Sequence, residues 1–469
     1  MILLIFPYGM FIVMPVINLL QKKRGIAVNC QTVEDVFKCV KDQNVSFIQL
    51  WFTDVLGMLK SFSIRPSELD EGMTEGMGFD GSSIEGFSRI EESDMIAKPD
   101  PTTFQLLPWR PEEQPVARMF CDILQPDGSP YPGDPRYVLK RVLAKAAEKG
   151  YISYLGPELE YFYFANNEST EVLDQGGYFD APPLDIANDL RRETIFALEK
   201  LGVRIEYSHH EVADSQHEID MRYDEGLKMA DKTMTLRATV KAIAMMNGIY
   251  ATFMPKPIFG INGSGMHTHQ SLFKGSKNAF YDANDKYHLS AEGKHYIAGL
   301  LKHAREITAV CSQWVNSYKR LVPGYEAPVY VSWARRNRSA LVRVPMYKPG
   351  KEAATRCEYR APDPACNPYL AFAVMIAAGL KGIEGKYPLP EPVEEDIYHM
   401  SEKDRKKKGI VELPGSLHEA VAEVEKSALI KDTLGDHIFT KFIENKKIEW
   451  DSYRMHVSAY EIERYLPIL

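Results

Sequence analysis

Apolar residues recur along the chain at two periods, three to four in some segments and two in others. Val33, Val36, Phe37 and Val40 share one face at helical spacing, so 33–41 is predicted as a helix. Thr32 is its expected N-cap, with Asp35 in the first turn. Residues 46–51 and 61–64 have strand character, with a turn between them over 53–59. Residues 126–135 are dense in Pro, Gly and Asp and mark a linker or domain boundary. A helix is predicted over 136–149, closed by Gly150. Strands and helices then alternate to about residue 380, which predicts an α/β or α+β body. A Pro-rich loop follows at 387–392, then a basic run at 403–408, expected on a solvated helix face. Residues 436–469 read as helical and carry Phe439, Phe442, Ile448, Trp450 and Tyr460. No internal repeat is evident.

Composition narrows the class. The chain has 469 residues, 45% hydrophobic and 26% charged, which is globular and excludes a disordered or low-complexity protein. The net charge of −8, with no dominant basic block, disfavours a nucleic-acid partner. The six cysteines show no C-x-x-C spacing, which disfavours a disulfide framework and a structural zinc site. A cytoplasmic, reducing setting is expected. Residues 1–20 are uncharged and mostly apolar, with Lys22, Lys23 and Arg24 after them. That run is long enough to cross a bilayer, but Pro7, Gly9, Pro15 and Asn18 weaken a helix there. An over-called start or a loose extension is the favoured reading, and no membrane association is expected.

The chemistry lies in charged residues placed at period two inside apolar runs. Glu158 and Glu160 fall i, i+2 in one strand-like segment; His267, His269 and Ser271 do so in another; Arg356, Glu358 and Arg360 in a third. Residues i and i+2 of a strand share a face. Each motif alone fits a solvent-facing edge, a structural histidine pair or a salt-bridge ladder. Three strands placing costly charges alike point to a cavity holding carboxylates, histidine and arginines. Residues 205–220 add Glu206, Glu211 and Glu218, but their thinner apolar framing favours a surface position. Glu158, Glu160, Glu211, Glu218 and Glu358 with one histidine would suit two or three hard divalent cations, Mg²⁺ or Mn²⁺, better than zinc. Arg320, Arg335, Arg336, Arg338, Arg343, Arg356 and Arg360 crowd one stretch, which with such ions implies a polyphosphate substrate. Arg335 and Arg336 equally fit surface ion pairs. No P-loop is present. Pro323 and Gly324 bend a loop that displays Tyr325 and Glu326, either as exposed residues or as a lid. Asp80 and Gly81 read as a turn between strands.

Taken together, FDGSSIEGF (79–87), GPELE (156–160), HHEVA (209–213), NGSGMH (262–267), NSYKRLVPGYEAP (316–328), NRS (337–339) and DPACNPYL (363–370) resemble, in family order, the type I glutamine synthetases of bacteria and archaea. The resemblance covers about 31–469. It implies an α+β fold: an N-terminal β-grasp domain over 31–133 and a large catalytic α/β domain over 134–469. In the latter an antiparallel sheet forms half-barrel active sites. Residues 1–30 are left as an extension. It also implies a homo-dodecamer of two hexameric rings, with sites between subunits and a C-terminal helical segment gripping the opposite ring. The implied reaction is phosphorylation of the glutamate γ-carboxylate by ATP, then attack of ammonia on γ-glutamyl phosphate.

The resemblance also implies residue roles. One metal takes Glu160, Glu211 and Glu218, and another takes Glu158, His267 and Glu358. Asn262, Gly263 and Arg320 hold glutamate, with Glu326, Arg338 and Arg360 close to it. Arg338 and Arg360 neutralise the transferred phosphoryl group. Glu206, Tyr223, His269, Ser271, Arg338 and Arg343 contact ATP. Asp80 of a neighbouring subunit binds ammonium and takes its proton, and Glu326 closes over the intermediate. Tyr398 falls where some members are adenylylated; the insertion those members carry is missing, so no modification is expected. Arg89 matches a feedback position for glutamine. A response to 2-oxoglutarate or a PII-type protein stays open. The rival functions are a γ-glutamyl-amine ligase of the same superfamily and a catalytically silent homologue. Asp80, Ser83 and Glu211 fit ammonia use, and the metal ligands and phosphoryl arginines are all present.

Overall fold

Thr32 and Asp35 close the first turn of α1 (Val33–Asp42) by reciprocal side-chain to backbone bonds. Val36 and Val40 are its buried positions and share a core with Ile48, Leu50, Met119 and Ile123. The computed structural model describes residues 27–84, 86, 94–346 and 350–469. The expectations for the apolar N-terminal run and for Arg89 lie outside the described residues. The N-terminal strands are β1 (Phe47–Thr53), β2 (Leu59–Ile64), β3 (Met77–Asp80), β4 (Asp94–Pro99), β5 (Gln105–Leu106) and β6 (Val116–Leu124), with α2 (Leu69–Thr74) between β2 and β3. They form one sheet in the order β2-β1-β6-β4-β3, with β5 on β6. β1 and β6 run parallel; the other pairs are antiparallel. The turn expected over 53–59 is closed by Met58 N–H donating to Asp54 Oδ1 at 2.9 Å, with Gly57 at φ +80°.

After the Pro/Gly-rich boundary, Asp134 caps α3 (Pro135–Glu148), and Gly150 follows it at φ +78°. The second sheet has ten strands in the order β14-β15-β16-β12-β7-β9-β8, with β10 and β11 on β7 and β13 on β12. These are β7 (Ile152–Phe164), β8 (Ile205–His210), β9 (Gln216–Met221), β10 (Asp224–Glu225), β11 (Tyr250–Thr252), β12 (Met266–Lys274), β13 (Lys277–Asn278), β14 (Tyr330–Ala334), β15 (Ala340–Arg343) and β16 (Cys357–Tyr359). The sheet is antiparallel as expected except at β14 and β15, which pair in parallel because residues 335–339 return the chain beside itself.

Helices α4 (Asn188–Lys200), α5 (Gly226–Met246), α6 (Ala291–Lys302), α7 (Ala304–Cys311), α8 (Ser317–Arg320), α9 (Pro368–Glu384), α10 (Glu402–Lys407) and α11 (Leu417–Lys426) complete the body, with α12 (Ala428–Arg454) and α13 (Ala459–Tyr465) at the end. The basic run thus falls on exposed α10. α9 is the hydrophobic centre and crosses α6 closely. A Cβ on Gly299 would lie 2.2 Å from the Ala378 carbonyl, and one on Gly382 2.1 Å from that of His295. Only glycine permits that approach. The C-terminal helix begins before residue 436 and bends at Gly435, φ +78°. Ile438 and Phe442 enter this chain's own core, whereas Ile448 and Tyr460 are exposed.

The two domains are locked together. Buried Arg136 bonds Asp100 and Asp122 of the N-terminal part and Asp231 of α5. Asn367 caps α9 and also donates to the carbonyls of Asp54 and Val55. Among the described residues no helix is long and apolar enough to cross a membrane.

Candidate functional site

Strand register turns the period-two residues into rows. Across β12, β7, β9 and β8, His267 stands opposite Glu158, Glu158 opposite Asp220, and Asp220 opposite Tyr207. The adjacent row sets Glu160 opposite Glu218 and Glu218 opposite His209. On the other side His269 faces Glu358, and Glu358 faces Arg343. Directly opposed residues bring their Cβ atoms to about 5 Å, so carboxylates and imidazoles from separate strands meet on one face.

They line a cleft with two chambers. One, of about 220 Å³, is lined by Glu158, Glu160, Glu211, Glu218, Asn262, Gly263, His267, Arg320, Glu326, Arg338, Arg343 and Arg360. The other, of about 240 Å³, is lined by Glu206, Tyr223, His269 and Ser271. Glu158 and Tyr207 belong to both. Glu358 lies fully buried behind the wall, its carboxylate held by Arg343 Nε and by Arg360 at 2.9 Å. Nearly all the residues singled out from sequence therefore converge. Asp80 does not: it ends β3, exposed, and lines neither chamber of its own chain.

The expectation of a surface position for the stretch carrying Glu218 is wrong. β9 lies between β7 and β8 and is buried at every position, with Glu218 only 5% exposed. Its intervening residues Ile219 and Met221 serve the core, which the thin apolar framing concealed. Glu206 is exposed, as expected. Arg335 and Arg336 stand apart from the cleft, where their backbone N–H groups bond Glu394.

Burial and crowding set the electrostatics. Burial and the neighbouring Glu211 push Glu160 up to about 8. Glu211 is raised by burial, and Glu218 stands well above the carboxylate range through burial and the nearby Asp220 and Glu160. Burial depresses His267 to about 4, with Arg360 adding to it. Glu158 is the reverse case: burial would raise it, but His269 at 2.6 Å and His267 hold it well below its ordinary value. Arg356 Nε donates to His269 Nδ1, so Nε2 carries the proton toward Glu158.

This donor set fits divalent cations. Ligand atoms of Glu158, His267 and Glu358 lie within 4.8 Å of one another. Glu160, Glu211 and Glu218 share the chamber, and burial first, then neighbouring carboxylates, raise them, a crowding that a divalent cation would relieve. The Gly263–Gly265 turn leaves no space for side chains. A Cβ on Gly263 would meet the Pro255 carbonyl at 2.3 Å; one on Gly265 would meet Arg320 at 2.7 Å and His267 at 2.9 Å. Arg320 is itself fixed by the carbonyls of Ala361 and Arg360.

The Glu326 loop sits at the mouth. Glu326 has φ +55°, Gly324 φ +97°. Lys256 lies 4.0 Å from the Tyr325 ring centre, and Tyr398 Oη donates to the Ala327 carbonyl at 2.6 Å. Tyr178, Tyr207, His209, Gln216 and Asp220 also line the cleft and were not singled out from sequence. Gln216, Glu218 and Asp220 stand at period two, the same signal that marked Glu158 and Glu160.

Known proteins share this architecture. Residues 44–126 match the family described as glutamine synthetase, beta-Grasp domain, and residues 132–465 match glutamine synthetase, catalytic domain. A glutamine synthetase of Methanosarcina mazei is 53% identical over 94% of this chain and 99% of its own. One of Thermotoga maritima is 52% identical over 93% and 99%. Among solved structures, Plasmodium falciparum glutamine synthetase aligns with TM-score 0.84 at 27% identity, over 94% of this chain and 100% of that one. A structure described as a GmaS/ADP complex aligns with TM-score 0.85 at 30% identity, over 92% and 99%.

Proposed function

The chain belongs to the glutamine synthetase family and is an ATP-dependent glutamate–ammonia ligase, and from that premise we propose how its two chambers divide the reaction. ATP occupies the chamber of Glu206, Tyr223, His269 and Ser271, with its phosphates directed to the shared wall at Glu158 and to Arg343. Glutamate occupies the other, its backbone groups held by Asn262, Gly263 and Arg320.

Family members use divalent metals. Here Glu158, His267 and Glu358 would hold one ion, and Glu160, Glu211 and Glu218 another, as Mg²⁺ or Mn²⁺; bound there, the ions would supply charge neutralisation for the phosphoryl transfer. A γ-carboxylate oxygen attacks the γ-phosphorus of ATP, ADP leaves, and Arg338 and Arg360 offset the charge on the group in transit. Ammonium has no lone pair at pH 7, so Asp80 of a neighbouring subunit takes a proton from it. The freed ammonia attacks the γ-carbonyl carbon, phosphate leaves, and Glu326 removes the remaining proton while covering the intermediate. The assembly is a dodecamer of two hexameric rings in the cytoplasm. The carrying observation is the meeting of Glu158, His267 and Glu358 with Arg343 and Arg360 where the chambers join.

Purified protein given Mg-ATP, glutamate and ammonium should release glutamine and phosphate in equal amounts. Phosphate without glutamine would mean another amine; neither product, from assembled protein, would mean a silent homologue. Tyr398 stays unmodified, its hydroxyl being engaged by Ala327, and a nucleotidyl adduct in its intact mass would contradict this. Arg89 mediates feedback by glutamine, and Arg89→Ala is expected to abolish that inhibition without loss of basal turnover.

A further inference from the structure

The glutamate chamber takes part of its lining from two segments distant in sequence: the turn of Asn262 and Gly263, and the loop of Tyr325 and Glu326. Lys256 reaches both from behind. It is only 8% exposed and lines neither chamber, and nothing in the reaction as derived uses it.

Its backbone is fixed on several sides. Lys256 stands between Pro255 and Pro257, so the ring on either side has a set φ, and a residue before proline is disfavoured in the helical region. Asn316 clasps it: the lysine N–H donates to Asn316 Oδ1 at 2.8 Å, and Asn316 Nδ2 donates to the lysine carbonyl at 3.0 Å. The Pro255 carbonyl accepts from Ser264 N–H at 2.8 Å. The side chain is thereby delivered to a set point. A Cβ on Gly263 would come within 3.2 Å of Lys256 Cδ. The ammonium donates to the Ile261 carbonyl and lies 4.0 Å from the centre of the Tyr325 ring. An ammonium has three donors and no acceptor, which suits it to join a carbonyl to an aromatic face, and burial strengthens the second contact. Burial and then Arg320 lower its pKa, and both stems pack against Gly263; the two carboxylates of glutamate would relieve that crowding of cations. On the far side of Glu326, Tyr398 holds the Ala327 carbonyl, so exposed Glu326 stands between two anchors.

We propose that Lys256 is a positioning residue that ties the glutamate-binding turn to the Glu326 loop, so that the turn ordered around glutamate also holds the loop over γ-glutamyl phosphate. The proposal rests on the reading of this chamber as the place where that intermediate forms. Its consequence is chemical. An acyl phosphate reacts with water as well as with ammonia: water adds to the γ-carbonyl carbon, phosphate leaves, and glutamate is returned with ATP spent. A loop freed from Lys256 covers the intermediate less well, and the water branch gains.

The test measures phosphate and glutamine together in the assembled full-length protein given Mg-ATP, glutamate and ammonium. Wild type should release them in equal amounts. Lys256→Met keeps an unbranched stem and removes the ammonium. Phosphate should then exceed glutamine by about twofold or more, and KM for glutamate should rise about tenfold. Tyr325→Leu removes only the loop's end of the contact, and phosphate should again exceed glutamine. A lysine that merely stabilised the fold would lower the amount of active protein and leave both the product ratio and KM as they were. Equal products in either variant overturn the tie to the loop, and an unchanged KM in Lys256→Met overturns the tie to the turn; both results leave the ligase reading intact. If Lys256→Met fails to assemble, Tyr325→Leu, at a half-buried loop position, carries the test alone. Wild-type protein that releases phosphate without glutamine overturns the reading of the chamber itself.

Discussion

Glu358 shows how one buried residue carries several duties. It is fully enclosed, held by Arg343 and Arg360, and placed 3.8 Å from His267 Nδ1. Glu358→Gln keeps the shape and removes the charge, and glutamine formation should fall by about 100-fold or more, with Mn²⁺ affinity falling alongside it. A fall in activity with metal binding unchanged would assign Glu358 to arginine positioning instead. The raised carboxyls make a second prediction. A carboxyl whose pKa rises on folding binds more protons folded than unfolded, so its stabilisation is present at low pH and is lost as pH climbs through the folded value. Glu160 is pushed up to about 8 and Asp220 to about 7, by burial before all else. Metal-free protein should therefore lose thermal stability from about pH 5, just above the unfolded values, to about pH 8, where the folded values are passed, and Mn²⁺ should restore more at the upper end than at the lower. Equal Mn²⁺ stabilisation at both ends would contradict it. At this scale the sequence was legible where charge interrupts an apolar alternation, as at Glu158 and His267. It was opaque where an aromatic has the same pattern as core, as at Tyr207, and where polar residues frame each other, as at Gln216 and Asp220.

Elements bring the residues together, and their contacts are testable in the same way. α6 crosses α9 on glycine, and Gly299→Ala would drive a methyl into the Ala378 carbonyl. The helices must part, costing about 1–3 kcal/mol or more, read as a fall in melting temperature. Asn367→Ala removes both the cap of α9 and the bonds to the β1–β2 turn. We expect about 1–2 kcal/mol from the cap alone, and a larger loss if the domain contact weakens with it. α1, the β1–β2 hairpin and α3 were legible because caps, turn residues and apolar spacing agree there. The bend of α12 at Gly435 and the parallel β14–β15 pair were not, since both follow from tertiary packing. β9 was misread because its chemistry faces one side and its core contribution the other, leaving no clean apolar run.

At the scale of the molecule, the position of Asp80 is the telling one. It ends β3, away from both chambers of its own chain, so a single subunit lacks the proposed ammonium base. Asp80→Ala and Glu358→Gln subunits, each inactive, should regain part of the activity when dissociated and reassembled together, because some interfaces then pair an intact Asp80 with an intact cleft. No recovery in verified mixed assemblies would place Asp80 outside the reaction. The rows across β7, β9 and β12 have a further consequence, for inheritance. Cleft-lining side chains occupy one parity of each strand, and Leu159, Tyr161, Ile219 and Met266 occupy the other and fill the core. Inserting or deleting one residue within such a strand exchanges the two sets at once. Lineages descending from this protein can change it by substitution, or lengthen the loops between strands, but single-residue indels within β7, β9 or β12 are closed to them.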